Sequence, residues 1–129
     1  MPRASVVVPV RDRRALLGEL LDALEAQTFT DVEVVVVDDG STDGSAELAE
    51  QRGVTVIRGD GRGAVAARQL GVKAATGDVL AFTDSDCVPE PGWLAAGMRA
   101  IDDGADVVQG HTRSTRRPAT RARARSRCR

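Results

Sequence analysis

No run of apolar residues in this chain approaches the roughly 20 that a membrane-spanning helix requires. The N-terminus lacks a basic segment followed by a long apolar one, so no secretory leader is read and a cytoplasmic location is expected by default. Cysteine is scarce. Cys87 and Cys128 lie far apart without metal-ligand spacing, which argues against a disulfide framework or a zinc site and predicts two free thiols. His111 is the single histidine, and with no positioned partner in the sequence it reads as a loop residue. What the chain does have is a 42% apolar fraction over 129 residues, ordinary for the core of one modest domain.

The net charge of −1 joins two unlike parts. Residues 113–129 carry eight arginines and no acid, leaving ten basic against nineteen acidic groups in residues 1–112, a net of −9. From Arg113 to Arg129 the chain uses only Arg, Ser, Thr, Pro, Ala and Cys. With no large aliphatic or aromatic group to bury, residues 113–129 are expected to form a disordered tail beside a folded portion of residues 1–112. Arginines can meet the phosphates of nucleic acid or of an anionic membrane. The lack of an aromatic for base stacking argues against nucleic acid, which leaves a solvated tail or peripheral association with the inner face of a membrane.

Hydrophobic patterning alternates strands and helices. Ser5 to Val8, stopped by Pro9, and Val32 to Val37, ending at Asp38-Asp39-Gly40, read as buried strands. Between them Leu16, Leu17, Leu20, Leu21 and Leu24 recur at helical spacing, with Asp12 as the expected N-cap. Ser41 or Thr42 is expected to cap a helix running to about Gln51, Gly53 to end it, and Val54 to Ile57 to form a third strand. A small-residue helix is predicted over residues 63–75, a buried strand over 78–82, a helix opening at Pro91 to Leu94, and a short strand over 106–109. Helices of this length between apolar strands imply a mostly parallel sheet with helices on both faces. Right-handed crossovers then bring the strands' carboxyl ends to one edge, where such sheets bind ligands.

Three segments meet that edge: residues 9–11, Asp38-Asp39, and Asp84-Ser85-Asp86. If Ser85 is extended or sharply turned, Asp84 and Asp86 can share one hard divalent cation, and Mg²⁺ or Mn²⁺ with a diphosphate fits them. An ordinary polar turn is the other reading of an isolated Asp-Ser-Asp.

Ser5 to Val10, Gln27-Thr28-Phe29, Val34 to Asp43 (VVVVDDGSTD), Gly61 to Lys73 (GRGAVAARQLGVK) and Thr76 to Asp86 (TGDVLAFTDSD) stand in an order and spacing that resembles the inverting glycosyltransferases of family 2. The resemblance covers residues 4 to about 112 and implies the nucleotide-sugar-binding portion of a GT-A domain. That is an α/β, Rossmann-like fold, truncated at its C-terminus before the acceptor-binding half. It implies a nucleotide-sugar donor, UDP-sugar first, with Mn²⁺ or Mg²⁺ as cofactor. The acceptor would be a saccharide or lipid, as in polysaccharide biosynthesis.

By the same resemblance Asp39 accepts a hydrogen bond from the base, with Asp38 beside it, and uracil's imide N–H suits a fixed carboxylate. Capping of the following helix is a second role open to both aspartates. Pro9, Val10 and Arg11 border base and ribose, although Arg11-Asp12 replaces the family's common aromatic-Asn ending. Arg62, between Gly61 and Gly63, is set near the diphosphate path, a flexible turn with an exposed arginine being the other reading of that segment, while Arg68 matches the family's Ala-Arg-Asn segment as a nucleotide-binding residue, with Gln69 where Asn is usual. Asp84 and Asp86 match the Asp-X-Asp motif, Asp86 as the direct metal ligand and Asp84 toward ribose or donor sugar.

An inverting transfer also needs a general base, and none is assigned. Asp102 and Asp103 read as solvated residues near a helix end. Half of a catalytic domain would leave sheet or helix surface uncovered, which predicts a homo-oligomer or marginal folding. The alternative function is a noncatalytic nucleotide-binding fragment whose basic tail contacts nucleic acid or anionic membrane.

Overall fold

Seven consecutive residues of the first strand, β1 (Ala4–Val10), are buried, which only a strand with neighbours on both edges and helices on both faces achieves. The computed structural model describes residues 2–114 and 126–128. After β1 come α1 (Arg14–Glu25), β2 (Val32–Asp38), α2 (Ser45–Gln51), β3 (Thr55–Arg58), α3 (Ala64–Ala74) and β4 (Val79–Phe82). They are followed by β5 (Cys87–Pro89), α4 (Trp93–Asp102), β6 (Arg113–Ser114) and β7 (Ser126–Cys128). The main sheet is wholly parallel in the order β3-β2-β1-β4, the order in which a doubly wound sheet begins.

Strand periodicity sorts the helices. Val6, Val8 and Val36 point toward α1 and α4, where Leu17, Leu20, Leu21, Leu24, Leu94 and Met98 close one core. Val35 and Val37 point the other way, against Ala67 and Leu70 of α3. Full burial of each leucine is worth about 2 kcal/mol over exposure, so the leucine stripe of α1 fixes that helix to the sheet. The small residues of α3 serve close approach. A Cβ on Gly71 would stand 2.3 Å from Val7 Cγ1.

Several expectations need correction. Strand β4 is an edge rather than a buried strand, with Leu80 38% and Phe82 47% exposed. Residues 106–109 form no strand; Val107 and Val108 are exposed, because β-branched residues extend stably only where a neighbouring strand pairs with them. Asp12 does not cap α1 and neither Ser41 nor Thr42 caps α2. Asp43 serves both ends instead, Oδ2 accepting from Arg14 N at 3.0 Å and Oδ1 from Ser45 N at 3.0 Å. The short bond from Ser45 Oγ, against an opposing desolvation and with the two backbone bonds behind it, holds the Asp43 carboxyl below the usual range.

The tail also departs from expectation. Arg113–Ser114 and Ser126–Cys128 are strands of a second small sheet, in the order β5-β7-β6; residues 115–125 lie outside the described residues. Cys87 is disulfide-bonded rather than a free thiol, and its register partner across β5 and β7 is the chain's only other cysteine, Cys128. The spacing rule failed because pairing between β5 and β7 brings together residues that no local pattern relates.

At the amino edge of the sheet Glu33 joins β2 to the turn before β4. Its Oε1 accepts from Ser5 Oγ at 2.6 Å, Thr76 N at 2.5 Å and Thr76 Oγ1 at 2.9 Å. Desolvation raises the Glu33 pKa, but the bonds from Ser5 and Thr76 outweigh it and the net shift is downward. The stabilisation from Glu33 is therefore complete above the ordinary glutamate value of about 4.3 and is lost as pH falls through the lowered folded value. Glu33→Gln is expected to lose about 1 kcal/mol at neutral pH, with the difference from the wild type shrinking below about pH 4. Urea midpoints measured across pH check this; a pH-independent difference contradicts it.

Candidate functional site

The carboxyl edge is built from loops bonded to one another. The register sets Pro9 opposite Val37 and Val10 opposite Asp38, and Asp39 N donates to Val10 O at 2.9 Å. Asp12 N donates to Ser41 Oγ at 2.9 Å, while Thr42 N donates to Asp12 Oδ1 at 2.7 Å. Asp12 adopts φ 49°, the only positive φ of a non-glycine among the described residues, a strained backbone that these two bonds hold in place.

Asp38 and Asp39 are both buried, at 3% and 5% exposure, because the sheet ends beneath them and the β3–α3 loop closes over them. They face opposite sides. Asp38 follows Val36 toward α1, where Oδ2 accepts from Ser41 N at 3.2 Å and Oδ1 has no hydrogen-bond partner. It is the one such buried side-chain atom among the described residues, an arrangement rare enough to mark a place. Asp39 turns toward α3, and its Oδ2 accepts from Gly63 N at 2.9 Å. Gly59 lies close by, where a Cβ would come to 3.4 Å from Asp39 Oδ1.

Asp84-Ser85-Asp86 turns between β4 and β5, with Cys87 N donating to Asp84 O at 3.0 Å. Ser85 is buried at 7% exposure, Asp84 is exposed and Asp86 is half-buried. Ligand atoms of Asp84, Asp86 and Cys87 all lie within 4.8 Å of one another. A disulfide sulfur is neither a thiolate ligand nor a proton donor, so the 3.7 Å approach of Cys87 Sγ to Asp86 Oδ1 is a contact only. Two carboxylates remain. This donor set is hard and oxygen-only, which fits Mg²⁺ or Mn²⁺ completed by water or phosphate and does not suit zinc.

Two guanidinium groups reach the turn. Arg68 Nη2 donates to Asp84 Oδ1 at 2.6 Å, and Arg13 Nη1 stands 3.5 Å from Asp86 Oδ2. Arg62 pairs with Asp60 at 2.8 Å on the exposed β3–α3 loop, and Arg11 is exposed on the loop after β1. The fold thus brings Pro9, Val10, Arg11, Asp38, Asp39, Arg62, Gly63, Arg68, Asp84 and Asp86 to one end of the sheet. Arg13 was missed from the sequence, although the charged run Arg11 to Arg14 immediately after a strand was a signal for it.

Gln27 is buried and structural. Its Oε1 accepts from Leu94 N at 3.0 Å and its Nε2 donates to Glu90 O at 2.7 Å, which fixes the start of α4 against the end of α1. Asp102 is not merely solvated: it pairs with Arg3 at 2.7 Å, where Arg3 precedes β1 at the opposite edge from Asp84 and Asp86. A groove of about 1250 Å³ runs between β4 and α4, lined by Phe82, Asp84, Trp93 and His111 among others. No helix among the described residues is long and apolar enough to cross a membrane.

Residues 5–128 match the family described as glycosyl transferase family 2, which extends the likeness past residue 112, where the sequence reading ended it. The glycosyltransferase AglE of Haloferax volcanii is 36% identical over 124 residues, covering 89% of this chain and 41% of that protein. The structure of S. aureus TarS 1-349 with UDP-GlcNAc superposes with a TM-score of 0.84 at 28% identity, over 95% of this chain and 37% of that one. The mannosyltransferase PcManGT from Pyrobaculum calidifontis, in complex with GDP-Man and Mn²⁺, gives a TM-score of 0.75 at 30% identity, over 80% and 33%. This chain therefore spans well under half the length of the proteins it matches.

Proposed function

The chain belongs to glycosyl transferase family 2, and from that premise we propose that its carboxyl edge binds a nucleoside-diphosphate sugar, with uridine as the base, together with Mn²⁺ or Mg²⁺. One observation carries the reading: a buried, oriented carboxylate at Asp39 and a close pair of carboxylates at Asp84 and Asp86 stand on the same edge. Asp39, with Oδ2 taken by Gly63 N, keeps Oδ1 for a base N–H. Pro9, Val10 and Arg11 border the nucleoside from β1. Asp86 with Asp84 holds the cation, and Arg68 and Arg62 offset phosphate charge beside it. When bound, the cation neutralises the diphosphate as it departs from the sugar.

The sugar passes to a saccharide or lipid hydroxyl, as in polysaccharide assembly, in the company of the further residues that the longer relatives possess. The general base is not assigned to a residue of this chain. The alternative is a noncatalytic nucleotide-binding fragment whose basic tail contacts nucleic acid or anionic membrane; the pairing of residues 126–128 with β5 ties that part of the tail to the fold.

Calorimetric titration of UDP in the presence of Mn²⁺ tests the reading. Affinity should rise with Mn²⁺, and Asp86→Ala should lose that gain by about tenfold or more, the weight of one charge-assisted ligand. Tight UDP binding indifferent both to chelation and to Asp86→Ala would falsify the metal role. GDP titrated in parallel decides the base.

A further inference from the structure

Arg13 stands at the N-cap of α1 with its side chain 48% exposed, a position from which an arginine ordinarily projects into water. Here it crosses toward the rim and sets Nη1 3.5 Å from Asp86 Oδ2. Arg68 reaches Asp84 from α3, on the opposite face of the sheet, at 2.6 Å. The two carboxylates of one turn are thus each engaged by a guanidinium from a different layer. Asp86 is the acid that Arg13 pairs with among the described residues.

A divalent cation on Asp86 changes that balance. Held by that carboxylate, it would compete with Arg13 for the negative charge and would repel the guanidinium as a like charge. The two contacts differ in strength. Arg68 makes a short hydrogen bond, whereas Arg13 makes a longer, looser approach that a cation can displace. The backbone of Arg13 stays fixed meanwhile, since its carbonyl accepts from Leu17 N at 2.8 Å in the first turn of α1. Only the side chain is free to move, and its planar fork of donors suits a phosphate.

We propose that Arg13 is an exchangeable counter-ion of Asp86: it neutralises that carboxylate in the free protein, yields it to the divalent cation, and then carries its charge to the diphosphate that the cation holds. This rests on the reading of Asp84 and Asp86 as a metal site. It makes Arg13 a positioning residue that opposes metal binding alone and favours metal and diphosphate together. Cation and nucleotide then bind with positive coupling.

Calorimetry on the full chain tests this with Arg13→Gln, which keeps a polar side chain and removes the charge. The variant should bind Mn²⁺ alone about three- to tenfold more tightly than the wild type, and UDP at saturating Mn²⁺ about three- to tenfold more weakly. Uridine, without phosphates, should bind both equally. Arg13→Lys should restore the wild-type Mn²⁺ affinity. Changes of opposite sign are the signature, because misfolding would weaken both. Two unchanged affinities, two that fall together, or a shift in only one of them overturn the exchange. Asp86→Ala run beside it separates the failures. If Asp86→Ala abolishes Mn²⁺ binding while Arg13→Gln is silent, the role of Arg13 alone fails. If Asp86→Ala binds Mn²⁺ and UDP as the wild type does, the metal reading falls and the proposal with it.

Discussion

Gly77→Ala is expected to destabilise the chain by about 3 kcal/mol or more, a large part of the 5–15 kcal/mol that holds a typical domain together. Gly77 sits in the turn between α3 and β4, where an added Cβ would stand 2.7 Å from Ala4 C, 2.8 Å from Ser5 N and 2.7 Å from Ser5 Oγ. Two of these atoms belong to the backbone of the most buried strand, so they cannot rotate away as a side-chain tip would. The same turn donates from Gly77 N to Ser5 Oγ at 2.8 Å, and pushing it outward would break that bond and strain those of Glu33. Chemical denaturation should show a much lower midpoint or no folded baseline. A midpoint within experimental error of the wild type would show that the turn relaxes, contrary to this account. At Gly71, whose Cβ would meet the side chains Val7 and Val37 at 2.3 and 3.1 Å, alanine should cost less, because side chains can shift and a mid-helix alanine returns about 1 kcal/mol of propensity.

Asp39→Asn should reverse the base preference of the proposed site. The aspartate presents an acceptor to an imide N–H, as uracil carries. In the asparagine variant the carbonyl oxygen can keep the bond from Gly63 N, which directs the amide NH₂ toward the base. Two donors then face each other, and UDP binding should weaken by roughly 10- to 100-fold. Cytosine carries an acceptor at the corresponding ring nitrogen, so CDP should lose far less and move ahead of UDP. Competition titrations of the two nucleotides read this out, with thermal melting as a check that the fold is unchanged. Equal weakening of both would mean that Asp39 does not face the base edge.

The layers were legible because their residues carry periodic signals. Leu17, Leu20, Leu21 and Leu24 announce a helix face, and unbroken valine runs announce the two strands that prove to be central. What was not legible depends on neighbours distant in sequence. Asp43 and Asp12 look alike as helix caps. Which of them meets Arg14 N is decided by how the loops after β1 and β2 dock, 29 residues apart. Val107-Val108 reads as a strand until the sheet is seen to offer it no partner. Cys87 and the arginine-rich end belong together only through the pairing of β5 with β7. In the candidate site, strand ends brought out Asp38-Asp39 and Asp84-Ser85-Asp86, since carboxylates there are a local pattern, and the family resemblance singled out Asp39 from its neighbour. Arg13 has no such pattern, because its reach to Asp86 is created by the packing of α1 beside the turn.

The bonds among the edge loops bear on the thermodynamics of binding. Thr42 to Asp12, Arg14 to Asp43, Asp39 to Val10 and Gly63 to Asp39 already join the segments that would surround a nucleotide. Backbone that is ordered during folding need not be ordered again when a ligand arrives. Association should therefore carry a small entropic penalty from the polypeptide and a heat-capacity change no larger than the area of ligand buried, the signature of a preformed receptor rather than of coupled folding.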